Sequence, residues 1–152
     1  MDPLTNEEIK NIMNNLEAEA LRSSTCQKKK VGAKFIFNRH SCIEPGGFSG
    51  PPEVLGQCNP CVRKNSIPYS DFTGCNSVHA EFKVLMKAYR FYGPSMSEGV
   101  LFVTHLPCYK CSIDIIYSGI KLVYYRYDAP DEYTKKIIEL FERAKVILRK
   151  VE

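Results

Sequence analysis

Three short apolar runs alternate along the chain with longer runs in which apolar residues recur every third or fourth position. The short runs are "VGAKFIFN", "GVLFVT" and "KLVYYRY", and each has the length and composition of a β-strand. The longer runs, at residues 6–23, 79–92, 108–118 and 131–144, have the period of amphipathic helices. This alternation predicts an α/β sandwich around a mixed sheet of about five strands. Residues 41–44 and "KVILRKV" would supply the other two strands.

The second helix should bury its apolar stripe against this sheet, because that is how an amphipathic helix is stabilised. The side chains expected to point inward are Phe82, Leu85, Met86 and Tyr89. Residues 45–76, in contrast, are rich in Gly, Pro, Ser and Asn and show no period. A stretch of this length without structure of its own is usually functional or held in place by something else.

The length and composition indicate one globular domain spanning residues 1–152. Hydrophobic residues make up 44% of the chain and charged residues 25%, which excludes a disordered chain. The apolar runs are far shorter than the roughly 20 residues that span a bilayer. The sequence "MDPLTNEEIK" has no basic region followed by an apolar core, so a cytoplasmic location is expected.

The compact basic cluster Lys28-Lys29-Lys30 has two interpretations. The net charge of +4 is too small to indicate nucleic-acid binding by itself. The cluster is either a solvated turn or an anion site for a phosphate. Both interpretations stay open at this point.

Two motifs place metal-ligand residue types at the starts of two predicted helices. "HAE" at His79 opens the second helix, and "PCYKC" places Cys108 and Cys111 at the start of the third. A histidine and two thiolates can hold Zn²⁺ and leave a fourth position for water, which is the catalytic arrangement. His79 alone would more often be a capping or core histidine, but beside the cysteine pair it is interpreted as a ligand.

Glu81 has a different role in this pattern. H-x-E followed by P-C-x-x-C is the signature of zinc deaminases of nucleobases, in which the glutamate binds no metal. Zinc activates a water molecule, and Glu81 would move protons from that water to the ring nitrogen and the leaving ammonia. His105 would be structural or would lie at the edge of the cleft.

The residues around these motifs resemble the deoxycytidylate (dCMP) deaminase family of the cytidine deaminase superfamily. The resemblance rests on "RSSTCQKKKVGA", "GGFSGPPEVLGQC", "SVHAEFKVLMKA", "VTHLPCYKCSIDIIYSGIKLVYY" and "YDAPD", in the family's order. It implies a three-layer α/β/α cytidine-deaminase-like fold and zinc-dependent hydrolytic conversion of dCMP to dUMP. It also implies homo-oligomers, with dCTP and dTTP as effectors in some members.

The resemblance also assigns substrate contacts. The backbone N–H of Ala80 is expected to meet the cytosine carbonyl, and Tyr127 corresponds to a tyrosine near the nucleotide. Lys28, within the basic cluster, is a candidate phosphate ligand. Ser49 stands where the family usually has the asparagine of Gly-Tyr-Asn-Gly, which holds the sugar hydroxyl. Either Ser49 replaces it through a water molecule, or the choice of sugar differs.

The chain has seven cysteines, and C-x-x-C pairs in an intracellular chain favour metal binding over disulfides. Several dCMP deaminases carry a second, structural zinc, and Cys26 and Cys58 match two of its ligand positions. Cys61 and Cys75 would complete a closed site that orders the long loop. The alternative is a set of reduced thiols without metal.

Three functions therefore compete. The first is deamination of a free nucleotide, with dCMP as the expected substrate. The second is deamination of a base within tRNA or single-stranded DNA, for which a basic groove with aromatic side chains is expected. The third is a non-catalytic zinc-binding module, which would have no need of Glu81.

Overall fold

The computed structural model describes residues 4–66 and 73–152, which form a three-layer α/β/α arrangement. In chain order its main elements are α1 (Asn6–Ser23), β1 (Gly32–Ile36), β2 (Gly46–Phe48), α2 (Ala80–Tyr92), β3 (Val100–His105), α3 (Tyr109–Ser118), β4 (Leu122–Tyr127), α4 (Asp131–Arg143) and β5 (Ile147–Lys150). The strands of this part of the chain lie in the order β2-β1-β3-β4-β5. β1 is antiparallel to β2 and β3, whereas β3, β4 and β5 are parallel.

Alternation along the strands divides the core between the two faces of the sheet. On β3, Leu101 and Val103 face the layer formed by α2, α3 and α4. Val100 and Phe102 face α1. Because successive side chains of a strand point to opposite faces, a strand covered by helices on both sides must be apolar throughout, and β3 is buried over most of its length.

The predicted α/β architecture with five strands is confirmed, and the predicted helices and strands mostly lie where expected. α1 begins after the capping box formed by Thr5 and Glu8, in which each side chain accepts from the other residue's backbone N–H. Gly119 adopts a left-handed conformation with φ of 85° and ends α3, as a helix C-terminus commonly requires.

Two predictions about local structure are wrong. The strand that pairs with β1 is not residues 41–44 but β2, which contains two glycines. In α2, Leu85 is buried, but Phe82, Met86 and Tyr89 are exposed. The buried face of α2 is adjacent to the predicted one, and most of its side chains are smaller than the predicted ones. It consists of Ala80, Glu81, Val84, Leu85 and Ala88.

The long loop at residues 45–76 has some structure of its own. It contains β2 and a short 3₁₀ turn at Glu53–Leu55, while residues 67–72 lie outside the described residues. Gln27 Nε2 donates to the Cys58 carbonyl at 2.5 Å, and Lys28 Nζ donates to the Ser66 carbonyl at 2.5 Å. Hydrogen bonds to the turn after α1 therefore attach the loop at two points.

The helices were also compared with the length and hydropathy that membrane crossing demands. In the part of the chain that the structure describes, none of them is both long and apolar enough to pass through a bilayer.

Candidate active site

His79 is the N-cap residue of α2, and its imidazole is directed away from the helix. Its backbone is extended, with φ of −68° and ψ of 146°, and its side chain makes no capping hydrogen bond. Nδ1 instead lies 3.5 Å from Cys108 Sγ and 3.3 Å from Cys111 Sγ. The interpretation of His79 as a capping histidine is therefore excluded.

The two cysteines are brought to His79 by the start of α3. Cys108 is the N-cap residue of α3, and its sulfur accepts the backbone N–H of Cys111 at 3.4 Å. Because residues three apart lie on the same side of a helix, Cys111 directs its sulfur to the same point from the first turn. The N-termini of α2 and α3 meet here, and their dipoles favour the negative charge of a thiolate.

These separations fit a zinc ion. A tetrahedral Zn²⁺ with Zn–S of about 2.3 Å and Zn–N of about 2.0 Å requires N···S separations of about 3.5 Å. The two observed N···S separations, 3.5 and 3.3 Å, are close to that value. All three ligand atoms lie within 4.8 Å of one another. This predicted ligand set is therefore assembled in the folded chain.

The titration behaviour of these groups reflects their close approach. The hydrogen bond with Cys111 lowers the pKa of the Cys108 thiol to about 4, and a further hydrogen bond with His79 acts in the same direction. The pKa of Cys111 is raised, first by its hydrogen bond with Cys108 and then by burial. The hydrogen bond with Cys108 also raises the pKa of His79. The lowered pKa of Cys108 favours its thiolate form, which is the form that binds a metal ion.

Glu81 lies in the first turn of α2 and is 4% exposed. Burial raises the pKa of its carboxyl to about 7, and the charges of His79 and Lys29 only partly oppose that effect. A carboxyl that titrates near neutral pH can both accept and donate a proton. It is not among the three residues that form the metal-ligand group.

A cavity of about 300 Å³ opens in front of the cluster. Its walls include His79, Ala80, Glu81 and Cys108 at one end. Lys28, Lys29 and Arg63 also line it, and so does His105. A site of this size that joins ligand-type residues, a buried acid and several cations suits a small anionic molecule.

Comparison with known proteins agrees with this site. A model of the MafB19-like deaminase family matches residues 7–147. The chain belongs to this family. The resemblance to dCMP deaminases of the cytidine deaminase superfamily, inferred from the motifs, is confirmed by the relatives.

Three relatives of this deaminase are informative. Deoxycytidylate deaminase of Mycobacterium phage D29 is 35% identical over 113 residues, which cover 70% of this chain and 84% of the phage protein. ComE operon protein 2 of Bacillus subtilis (strain 168) is 33% identical over 133 residues, 88% of this chain, and the chain spans 65% of that protein's length. The dCMP deaminase of cyanophage S-TIM5, solved in complex with dCMP and dUMP, has a TM-score of 0.70 and 25% identity. That comparison covers 97% of this chain and 99% of the cyanophage chain.

Four residues are predicted to contact substrate in this MafB19-like deaminase. In the structure three of them line the cavity and one does not. Ala80 is buried and lines the cavity beside His79. Lys28 also lines the cavity, but its ammonium group donates to the Ser66 carbonyl. Tyr127 is not among the lining residues; its hydroxyl donates to the Glu17 carboxylate.

Ser49 lines the cavity but is 5% exposed, and its hydroxyl is already engaged. Oγ donates to the Lys29 carbonyl at 2.8 Å and accepts the Val31 backbone N–H at 2.9 Å. The Ser24 hydroxyl lies 2.8 Å away. Ser49 therefore holds the turn after α1 against β1. A contact with the sugar stays a prediction, and it would require one of these bonds to be exchanged.

The four cysteines predicted to hold a second zinc lie near each other but not at ligand spacing. Cys26, Cys58, Cys61 and Cys75 all line the cavity. Within the described residues, however, no three of them have sulfurs within 4.8 Å of one another. Burial raises the pKa of Cys26, but hydrogen bonds from the backbone of Lys29 and Lys28 outweigh it, so the pKa is lowered. As placed, the four thiols do not form a zinc site.

Sequence reasoning gives no role to Arg63, which lines the cavity. It includes Lys29 only as part of the basic cluster, although the charge of Lys29 acts on Glu81 and Cys108. For His105 the sequence leaves two roles open, a structural role or a position at the edge of the cleft. In the structure His105 lines the cavity. The signal for His105 was its position at the end of β3, three residues before a metal ligand.

Proposed function

We propose that this protein catalyses the zinc-dependent hydrolytic deamination of dCMP to dUMP, with release of ammonia. The observation that carries the proposal is the group of His79, Cys108 and Cys111 at zinc-ligand separations, with the buried carboxyl of Glu81 in the same cavity. Relatives that are deoxycytidylate deaminases support dCMP as the substrate.

Each residue of the site has a definite task. When bound to His79, Cys108 and Cys111, zinc supplies Lewis-acid activation of water. Glu81 would accept one proton from the attacking water and donate it to the pyrimidine ring nitrogen. It would then accept the second proton from the added hydroxyl group and donate it to the amino group, which leaves as ammonia. As the first residue of α2, Ala80 has a backbone N–H without an intrahelical acceptor. That N–H is suited to bind the cytosine carbonyl.

The cations that line the cavity support a phosphorylated substrate. Lys28, Lys29 and Arg63 come from two segments that meet at the cavity. Arg63 is 9% exposed, and a guanidinium group is well matched to phosphate oxygens. A nucleoside 5′-phosphate would place its negative charge among these cationic side chains, whereas a free nucleoside carries no charge for them to attract.

The experiment measures ammonia release by zinc-loaded protein from dCMP, CMP, deoxycytidine, dAMP and a short cytosine-containing DNA oligomer. We expect turnover of dCMP to exceed that of deoxycytidine and of the oligomer. Turnover highest on the oligomer would favour the polynucleotide alternative. Zinc binding without turnover of any of these compounds would favour a non-catalytic zinc module.

We also propose a homo-oligomer, with the outer surface of α2 and α3 as the contact. The helices are neighbours in one layer, and each carries an exposed apolar stripe. The exposed side chains are Phe82, Met86 and Tyr89 on α2 and Tyr109, Ile113 and Tyr117 on α3. Taking about 200 Å² for a large side chain, they expose about 600–700 Å². A stable interface buries about 800 Å² on each partner, so a second copy would cover this surface.

Sedimentation analysis of the parent protein, Tyr117→Glu and Val54→Glu tests this contact. Tyr117 is 92% exposed and Val54 is 90% exposed, but Val54 belongs to the 3₁₀ turn of the loop and not to α2 or α3. We expect only Tyr117→Glu to shift the protein toward monomer. A monomeric parent, or an equal effect of both changes, would exclude this interface.

Three further properties stay predictions. Effects of dCTP or dTTP follow from the resemblance alone and are testable by adding either nucleotide to the assay. A cytoplasmic location suits seven cysteines that are all free thiols, since a reducing compartment keeps thiols in that form. A second zinc would require the sulfurs of Cys26, Cys58, Cys61 and Cys75 to lie closer together than they do in this structure.

A further inference from the structure

His105 presents an imidazole to the cavity from the end of β3. The residue lines the same cavity as His79 and Glu81. The ring of Tyr127, its partner on β4, lies against it with a centroid separation of 5.0 Å. The Tyr127 hydroxyl donates to Glu17. The imidazole therefore packs against the ring of Tyr127, and the hydrogen bond to Glu17 holds that ring in position.

A chain of hydrogen bonds assigns the tautomer of His105. The Gly32 backbone N–H donates to Thr104 Oγ1 at 3.1 Å, and Thr104 Oγ1 lies 3.0 Å from His105 Nδ1. Thr104 is 1% exposed, so its hydroxyl hydrogen needs an acceptor. Within residues 4–66 and 73–152 that hydroxyl has no other hydrogen-bond partner. It therefore donates to Nδ1, and the single proton of the neutral ring lies on Nε2.

The imidazole is kept neutral by its surroundings. Burial lowers the pKa of His105 to about 4, and the charge of Lys29 lowers it further, while Glu17 opposes both. Nε2–H has no hydrogen-bond partner among the described residues. His105 thus provides a neutral N–H donor in the wall of the cavity, and this donor lies in the positive potential of Lys29.

Lys29 differs from the two lysines beside it. Lys28 Nζ donates to the Ser66 carbonyl at 2.5 Å and Lys30 Nζ donates to the Ser24 carbonyl at 2.7 Å. The charge of Lys29 acts on Glu81, Cys108 and His105. Of the three, Lys29 is the lysine whose charge acts on both the catalytic carboxyl and His105.

We propose that His105 is a specificity-determining residue whose Nε2–H, together with the ammonium group of Lys29, binds the 5′-phosphate of the nucleotide. This inference rests on the proposed function for the identity of the ligand, a pyrimidine nucleotide. An N–H in a positive potential binds an anionic oxygen more strongly than a neutral carbonyl or hydroxyl. The phosphate is the anionic group of such a ligand. The neutral donor adds a hydrogen bond without the repulsion that a second cation beside Lys29 would cause.

The test measures binding rather than turnover. Zinc-loaded protein is titrated calorimetrically with dUMP and with deoxyuridine, which differ only in the phosphate. His105→Phe keeps an aromatic ring against Tyr127 but has no donor, and His105→Gln keeps an N–H donor. We expect His105→Phe to weaken dUMP binding about 10- to 100-fold, the range for a hydrogen bond to a charged group, and deoxyuridine binding less than about twofold. His105→Gln should restore part of the affinity for dUMP.

A second readout follows the imidazole directly. In ¹⁵N-histidine spectra, the Nε2 resonance of His105 should shift on addition of dUMP and not on addition of deoxyuridine. The matched control Tyr127→Phe removes the hydroxyl bonded to Glu17 but leaves the His105 donor, and it should retain the preference for dUMP.

Several results would overturn the proposal. Equal weakening of dUMP and deoxyuridine by His105→Phe would place the contact at the base or sugar, or make it structural. Unchanged dUMP binding, or equal or undetectable binding of both ligands to the parent protein, would also refute it. If dUMP binding depends on His105 but no cytosine nucleotide is deaminated, the proposed function fails and this inference stands.

Discussion

Replacing His105 should change how the stability of the protein depends on pH. Burial lowers the pKa of this imidazole from its ordinary 6.5 to about 4 in the folded chain. Between these two values the unfolded chain binds a proton that the folded chain does not bind. Lowering the pH through this window therefore favours unfolding. The contribution of the neutral imidazole to the free energy of unfolding is fully present above about pH 6.5 and is lost progressively toward pH 4.

The size of the effect follows from the shift. A difference of one pKa unit corresponds to about 1.4 kcal/mol, so the shift of His105 sets an upper limit of about 3 kcal/mol. Because the residue is only half-buried, we expect about 2 kcal/mol. His105→Phe and His105→Gln both remove the titrating group, although they pack differently against Tyr127.

The assay is urea unfolding of the parent and both variants at intervals from pH 7.5 to pH 4, at one zinc concentration. Titration of the metal ligands contributes to all three proteins, so the difference between parent and variant isolates His105. We expect the parent to lose about 2 kcal/mol more than either variant across this range. The two variants should show the same pH-dependent difference even if their absolute stabilities differ. Parallel curves for all three proteins would refute the reasoning that His105 is held neutral in the fold.

Three further changes test the site and its support. Glu81→Gln should keep zinc and fold but lower turnover by about 10²- to 10⁴-fold, because an amide cannot move protons; activity within a few-fold of the parent would exclude Glu81 as the acid–base group. Cys58→Ser should reduce the zinc content from two ions to one if the second site forms, and a fully loaded parent that holds one zinc would show that it does not. A Cβ on Gly47 would lie 2.9 Å from the Ala80 carbonyl and 3.1 Å from Val84. Gly47→Ala should therefore destabilise the fold by about 1–3 kcal/mol and weaken zinc binding, and an unchanged melting temperature would contradict this packing.

The parts of the fold that the sequence predicts well are those controlled by local interactions. The capping box places the start of α1, and Gly119 places the end of α3. The sequence pattern does not predict the strand β2, because its two glycines are typical of loop composition. The helix α2 lies so close to the strand that a side chain at Gly47 would collide with it. This contact joins segments that are distant in the chain, so it produces no periodic pattern in the sequence.

The helix α2 shows a second limit of sequence patterns. Its apolar residues occupy both an inner and an outer face, so the 3.6-residue period fits two orientations. The larger side chains Phe82, Met86 and Tyr89 suggested the buried face, but they are exposed. The buried face consists of smaller residues such as Val84 and Ala88, because α2 packs closely against β1 and β2.

The grouping of His79, Cys108 and Cys111 could be predicted because the motifs place these residues at fixed positions in two helix starts. The surrounding cavity could not be predicted in the same way. His105 and Lys29 meet only after β3 and the turn that follows α1 come together, and no sequence spacing records that approach. Tyr127 was expected to contact substrate, yet it is His105 that lines the cavity while Tyr127 supports it.

Backbone hydrogen bonds explain how the group of His79, Cys108 and Cys111 is held together. Val78, directly before His79, pairs with Gly50 through bonds of 2.9 and 3.3 Å. Leu106, two residues before Cys108, donates its N–H to the Tyr127 carbonyl at 2.8 Å. Each ligand-bearing helix is thus fixed to neighbouring backbone immediately before it begins. Since main-chain groups make these bonds, most side chains at these positions can change without moving His79 or Cys108. Substitution of the Val78 or Leu106 side chain should therefore preserve the separations among His79, Cys108 and Cys111.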